Sequence, residues 1–244
     1  MSNYECIKTK FSHVDYYIKN AIVQKNVRGK LINKCKNILR KNSIESILNI
    51  GVRDINEPID LYNKFSPKKI DVIDLTLKNI DKATKGKNIS FHELNFDYDL
   101  DKLSQNYDLI FSNMSIQWSN DLNKLLKVLE QKLNQGSILA FSTLLDENFH
   151  EVADIFRVNE MLPKESILKS IKNNSLLCLH VESSFHTLNF KTFKDLTNHF
   201  KSTGISTYIS EWNNINIHKI RNLIKSNSTY NLSYHVVLFI CYKQ

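Results

Sequence analysis

Two hydrophobic runs in this chain end on side chains able to hold a ligand. Ile70 to Ile73 stops at Asp74, and Leu109-Ile110-Phe111, which follows Tyr107-Asp108, stops at Ser112-Asn113. A carboxylate at the end of a strand can accept hydrogen bonds from both hydroxyls of a ribose. Asp74 stands about two dozen residues past the end of the first strand, a spacing typical of nucleotide-binding α/β units. After Asn113 come Gln117 and Trp118, and Asp121 then opens an amphipathic run through Leu122, Leu125, Leu126 and Leu129. A strand that feeds a helix through polar residues sets them at the carboxyl edge of a sheet, where ligands gather in open α/β folds. Ser112, Asn113, Gln117 and Trp118 are therefore expected to face a pocket, although an aromatic as large as Trp118 suits a core equally well.

The elements that must position these residues alternate along the chain. A helix is predicted from about Val14 to Leu39, then strands at Ser46–Ile50, Ile70–Ile73, Ile89–Phe91, Asp108–Phe111 and Ser137–Thr143. Between them the pattern predicts helices near Pro58–Phe65 and Leu77–Ala83, and one after Asp121. Strands and helices at such intervals imply βαβ units and a mainly parallel, doubly wound sheet. Past Thr143 the pattern changes. Helices are expected at Asp146–Met161 and Lys164–Ile171, separated by Pro163, then a strand at Leu176–Leu188 and helices at Phe193–Phe200 and Ile215–Ile224. Tyr234–Cys241, YHVVLFIC, is apolar enough for the middle of a sheet. The expected organisation is an N-terminal helix and ligand-binding core over 1–145, with 146–244 as a capping insertion plus the final strands.

Composition narrows the classes. Of 244 residues, 42% are hydrophobic, enough for a core. No run of about 18 apolar residues occurs and the first residues lack an apolar signal segment, so a cytoplasmic protein without membrane association is expected. Cys6, Cys35, Cys178 and Cys241 show no paired spacing, which argues against a zinc site or a disulfide framework. The net charge of +8 permits an acidic partner. Its lysines are dispersed among acids, and no nucleic-acid-binding motif accompanies them, so nucleic acid is not expected.

Four segments together resemble the malonyl-acyl-carrier-protein O-methyltransferases of biotin synthesis, a family of class I S-adenosylmethionine-dependent methyltransferases. They are SNMSIQWSNDL at 112–122, GSILAFSTL at 136–144, FKSTGIS at 200–206 and LSYHVVLF at 232–239. FSHVDYYIKNAIVQKNV at 11–27 looks like that family's first helix. The loop after the first strand departs from it. The family's loop looks like Asp-x-Gly-x-Gly-x-Gly, whereas NIGVRDINEP at 49–58 keeps only Gly51, with Asn49 for the acid and Arg53 and Ile55 at the later glycine positions. A side chain there can obstruct the close backbone approach that glycine allows.

The resemblance implies a Rossmann-like fold and methyl transfer from S-adenosylmethionine to the free carboxylate of malonyl-phosphopantetheine on acyl-carrier protein, by a protein expected to be monomeric. It implies that Gly51 lines the methionine part of the cofactor and Asp74 its ribose. Asn95 or Asp97 falls near adenine and Asn113 beneath the sulfonium, while Tyr16 or Tyr17 closes over the cofactor. Gln117, Trp118, Tyr234 and His235 become candidates for the substrate wall, although His235 could equally make a structural hydrogen bond. Lys191, Lys194, Lys201, Arg221 and Lys225 become candidates for carrier-protein docking. No catalytic acid or base is implied, because the acceptor carboxylate is already ionised near neutral pH. The loop departure keeps two alternatives open: a non-catalytic binding or assembly protein of the same fold, or a methyltransferase for another small substrate.

Overall fold

The computed structural model describes residues 20–39, 43–77, 86–153, 160–203, 220, 221, 224 and 229–244. In chain order its elements are α1 (Ile22–Ile38), β1 (Ser46–Ile50), α2 (Asn56–Phe65), β2 (Lys69–Asp74), β3 (Ile89–Glu93), β4 (Tyr107–Asn113), α3 (Leu122–Gln131), β5 (Leu133–Leu144), α4 (Lys164–Asn173), β6 (Leu176–Phe190), α5 (Phe193–Thr203) and β7 (Tyr230–Lys243). Seven strands make one sheet in the order β3-β2-β1-β4-β5-β7-β6. The pairings among β1 to β5 are parallel; β7 runs antiparallel to β5, and β6 antiparallel to β7. The doubly wound, mostly parallel sheet expected from the alternating pattern is present. The order reverses between β1 and β4, and at such a switch point the loops leave in opposite directions and open a crevice at the carboxyl ends.

Each face of the sheet carries its own core. One gathers Val27 and Leu31 of α1, Leu61 of α2 and Phe200 of α5 over Ile47, Val72 and Phe111. The other packs Leu125, Leu126 and Leu129 of α3 and Ile167 and Ile171 of α4 against Leu48, Ile110 and Phe239. Successive strand residues point to opposite faces, so β1 with both faces covered reads as a continuous apolar run. Asp121 starts α3 as expected, its carboxylate accepting the Lys124 backbone N–H at 3.0 Å.

The structure differs from the sequence reading after β5. Residues 146–153, expected to begin a helix, are turns, with Phe149 at φ 59°. Their polar side chains bind β7 instead: Glu151 accepts the Ser233 N–H at 3.0 Å and Asn148 the His235 N–H at 3.3 Å. Backbone groups near the start of β7 thereby gain partners that a regular helix would not offer. The predicted helices at 77–83 and 215–224 fall mostly outside the described residues. Among the described residues no helix is long and apolar enough to cross a membrane, and no group of three or more His, Cys, Asp or Glu side chains could hold a metal ion.

Candidate active site

The carboxyl ends of β1, β2 and β4 meet at the switch point. Gly51 follows β1 at φ +74°, and its N–H donates to the Ile73 carbonyl at 2.8 Å. A Cβ at this position would lie 2.3 Å from both Cβ and Oγ of Ser115. Glycine is thus required by the left-handed backbone and by the segment that leaves β4. Ser115 is fixed there by its Oγ, which donates to the Ile50 carbonyl at 3.0 Å and lies 2.6 Å from Ser112 Oγ.

Asn113 is buried at the end of β4. Ser142 Oγ donates to its Oδ1 at 2.9 Å, which turns Nδ2 outward to the Gln24 carbonyl at 3.1 Å. The next residue, Met114, adopts φ 51°, and its N–H reaches Ser142 Oγ at 2.9 Å. Positive φ on a methionine is held only where several bonds over-determine it, and such positions gather at ligand sites.

A cavity of about 260 Å³ opens between α1, the loop after β1 and the end of β4, lined by Gln24, Arg28, Gly51, Arg53, Glu57 and Asn113, among others. Arg28, on α1, is 5% exposed and pairs with Asp54 at 3.2 Å and Asp60 at 2.9 Å. Glu57, on the first turn of α2, points back beneath the loop, and its Oε1 accepts from Asn49 Nδ2 at 2.7 Å. Burial pushes the Glu57 carboxyl up to about 7, opposed by Asn49, Arg28 and Asn113. Gln24 Oε1 is buried with no hydrogen-bond partner, as is Asn49 Oδ1.

Asp74 ends β2 as expected, 9% exposed, with Oδ1 accepting the Thr76 N–H at 3.0 Å. Burial raises its carboxyl to about 6, against the Thr76 N–H and the positive charge of Arg53. The charge of the arginine at a glycine position therefore acts on the acid expected to bind ribose.

Other predicted residues are placed as follows. Asn95 and Asp97 belong to the turn after β3. The Asn95 side chain accepts the Asp97 N–H, while Asp97 accepts Ser119 Oγ at 2.6 Å and the Asn120 N–H at 2.9 Å. Asp97 thus ties this turn to the segment beyond β4. Gln117 donates to the Met114 carbonyl at 2.7 Å and lines a second cavity of about 460 Å³ with Thr143, Leu144 and Met161. Trp118 is half-buried against both cores.

Tyr234, expected at a substrate wall, lies in the core. It is 1% exposed, its hydroxyl is 2.7 Å from His199 Nε2, and Phe149 packs on its edge. His235 is partly exposed, stacks on Phe185 with centroids 4.1 Å apart, and sets Nδ1 3.3 Å from Glu147. Lys191, Lys194, Lys201 and Arg221 are exposed. Tyr16, Tyr17 and Lys225 lie outside the described residues. The structure thus brings Gly51 and Asn113 to one cavity beside Asp74, and Gln117 to another. Glu57, Arg28, Gln24 and Ser115 were not anticipated. Glu57 and Arg28 had a signal, since both are charged residues within otherwise apolar helical faces.

No family model matches the chain. Relatives are nevertheless close to full length. The chain is 27% identical over 239 residues to malonyl-[acyl-carrier protein] O-methyltransferase of Calditerrivibrio nitroreducens, covering 93% of this chain and 92% of that protein. It is 25% identical to malonyl-[acyl-carrier protein] O-methyltransferase 2 of Coxiella burnetii, covering 94% and 92%. The chain is thus similar to malonyl-[acyl-carrier protein] O-methyltransferases over nearly its whole length. Solved structures agree on the fold. The N-methyltransferase NodS of Bradyrhizobium japonicum, in complex with S-adenosyl-L-homocysteine, superposes with a TM-score of 0.62 at 11% identity, covering 100% of this chain and 99% of that one. The [4+2]-cyclase SpnF shares the fold at a TM-score of 0.57 and 10% identity, covering 88% and 80%, so the architecture alone does not specify the reaction.

Proposed function

We propose that this protein methylates the free carboxylate of a malonyl thioester carried on acyl-carrier protein, with S-adenosylmethionine as donor, an early step of biotin synthesis. The observation that carries the reading is a near-full-length relationship to malonyl-[acyl-carrier protein] O-methyltransferases, combined with Gly51, Asp74 and Asn113 at three adjoining strand ends. The residues present fit the donor's two polar ends. Asp74 offers a carboxylate for a ribose diol, and the cavity beside Gly51 offers Gln24 Oε1, a buried acceptor with no partner.

When bound, S-adenosylmethionine supplies an electrophilic methyl group on a sulfonium. The chain has to align a carboxylate with that methyl and keep water out. Opposite charges are neutralised as the transition state forms, so walls of low polarity favour the step over bulk water. Asn113, held by Ser142, and the strained Met114 turn fix the floor. Gln117 and Trp118 continue it toward the second cavity, where the acceptor would enter. Neither proton transfer nor a nucleophilic side chain is required. Exposed Lys191, Lys194, Lys201 and Arg221 offer cations to an acidic carrier protein, with Lys225 and Tyr17 assigned to docking and cofactor closure on the resemblance alone.

Incubation with S-adenosylmethionine and malonyl-acyl-carrier protein is expected to add one methyl group to the malonyl arm, read by mass spectrometry. An unmodified carrier protein, with no cofactor binding at millimolar concentration by calorimetry, would overturn the reading. A second reading, a non-catalytic protein of the same fold, is favoured by the positive charge of Arg53 acting on Asp74. It requires that S-adenosylmethionine fail to bind, or that it bind without transfer to any malonyl thioester.

A further inference from the structure

We infer that Glu57, on the first turn of α2, is the acid that holds the ammonium of the donor's amino-acid end. The inference rests on the reading above and assigns a residue within that site.

Asn49 is fully buried near the end of β1, so no charge stands there. Its Nδ2 donates to Glu57 Oε1 at 2.7 Å and toward the Phe111 carbonyl at 3.4 Å. The amide therefore orients a carboxylate that arrives from the helix. A buried carboxylate without a matched cation is costly. Arg28 acts electrostatically on Glu57, but its guanidinium also pairs directly with Asp54 and Asp60, so one cation is shared among three carboxylates. Arg53 also lines the cavity, yet its charge bears on Asp74; Lys25, the remaining cation of the lining, is exposed.

What remains is acceptor capacity. Glu57 is held by donors on one side and lines the cavity on the other, and Gln24 Oε1 lies buried there with no partner. A cavity with spare acceptors and an incompletely balanced carboxylate suits a ligand group that is cationic and rich in N–H donors. A primary ammonium meets both conditions. Burial that raises Glu57 to about 7 agrees with a carboxylate awaiting its cation.

The test compares two ligands that share an adenosine thioether and differ at the amino-acid end. S-adenosylhomocysteine carries the ammonium; 5′-methylthioadenosine lacks the whole amino-acid group. Calorimetry on the full chain is expected to show Glu57→Gln weakening S-adenosylhomocysteine about tenfold or more while leaving methylthioadenosine within about twofold. Asp74→Asn should weaken both. The exchange Asn49→Asp with Glu57→Gln keeps the hydrogen bond, reverses its polarity and moves the charge to β1. It should recover most of the lost affinity, and it serves as the decisive variant if Glu57→Gln alone does not fold. Equal weakening of both ligands, or of neither, overturns the assignment while the functional reading stands. Wild type that binds methylthioadenosine but not S-adenosylhomocysteine overturns it too. Wild type that binds neither removes the assignment and the functional reading together.

Discussion

Ser115 occupies the space that any side chain on Gly51 would need. A Cβ at Gly51 would meet Ser115 Cβ and Oγ at 2.3 Å, so the turn after β1 and the turn after β4 are locked face to face. The lock closes the floor of the crevice at the point where strand order reverses. It also means that the one retained glycine is demanded by the chain's own packing, whatever binds above it.

Gly51→Ala is therefore expected to destabilise the fold by about 2–5 kcal/mol, combining a left-handed backbone with overpacking. Gly51→Ala with Ser115→Gly should recover only the overpacking part. Urea denaturation of the two variants measures the difference. Equal stability of both variants would show that backbone conformation alone sets the cost.

Arg53 and Asp74 supply the second prediction. The arginine helps keep Asp74 ionised against burial, and the same positive charge stands near the expected path of a sulfonium. Arg53→Gln should bind S-adenosylmethionine about tenfold more tightly, with a smaller gain for the uncharged thioether S-adenosylhomocysteine. Calorimetry with both ligands checks this. Weaker binding of both in the variant would make Arg53 a ligand-holding residue.

Stability should vary with pH through two buried groups of opposite sign. Glu57 is raised from 4.5 to about 7 by burial. For a raised group, the stability present below the unfolded value is lost as pH climbs through the folded one. Unfolding free energy should then fall by about 3 kcal/mol across that window through Glu57 alone. His199 is lowered from 6.5 to about 4 by burial, so its contribution is present above 6.5 and lost as pH falls through about 4. Denaturation at about pH 5 and about pH 8 should show Glu57→Gln gaining on wild type as pH rises. A constant gap between the two proteins would rule out an ionising Glu57.

Tyr234 provides a fourth. Its hydroxyl bonds His199 Nε2 at 2.7 Å inside the core. Tyr234→Phe leaves that nitrogen without its partner, and a loss of about 1–3 kcal/mol is expected. The KM for malonyl-carrier protein should not change. A raised KM at unchanged stability would return Tyr234 to the substrate wall.

Much of the architecture was legible in local pattern. Apolar runs located β1, β2, β4, β5 and β7, and the spacing of Leu122, Leu125, Leu126 and Leu129 located α3 behind its Asp121 cap. Asp74 and Asn113 were recognisable because a polar residue that ends a buried run must sit at a strand end. These features depend on neighbours in sequence, and side-chain type and period suffice to determine them.

The tertiary structure alone decided where several side chains point. YHVVLFIC is buried on both faces, so it has no alternation from which to tell that Tyr234 turns to the His199 side while His235 stacks on Phe185. Residues 146–153 gave up helix because Asn148 and Glu151 found partners on β7, more than eighty residues away. The fate of NIGVRDINEP likewise depended on distant partners: Ser115 against Gly51, Asp74 before Arg53, and Arg28 beside Glu57. Local pattern shows that such a loop departs from glycine. Only the strands it joins, and the charges they bring within reach, determine what the new side chains do.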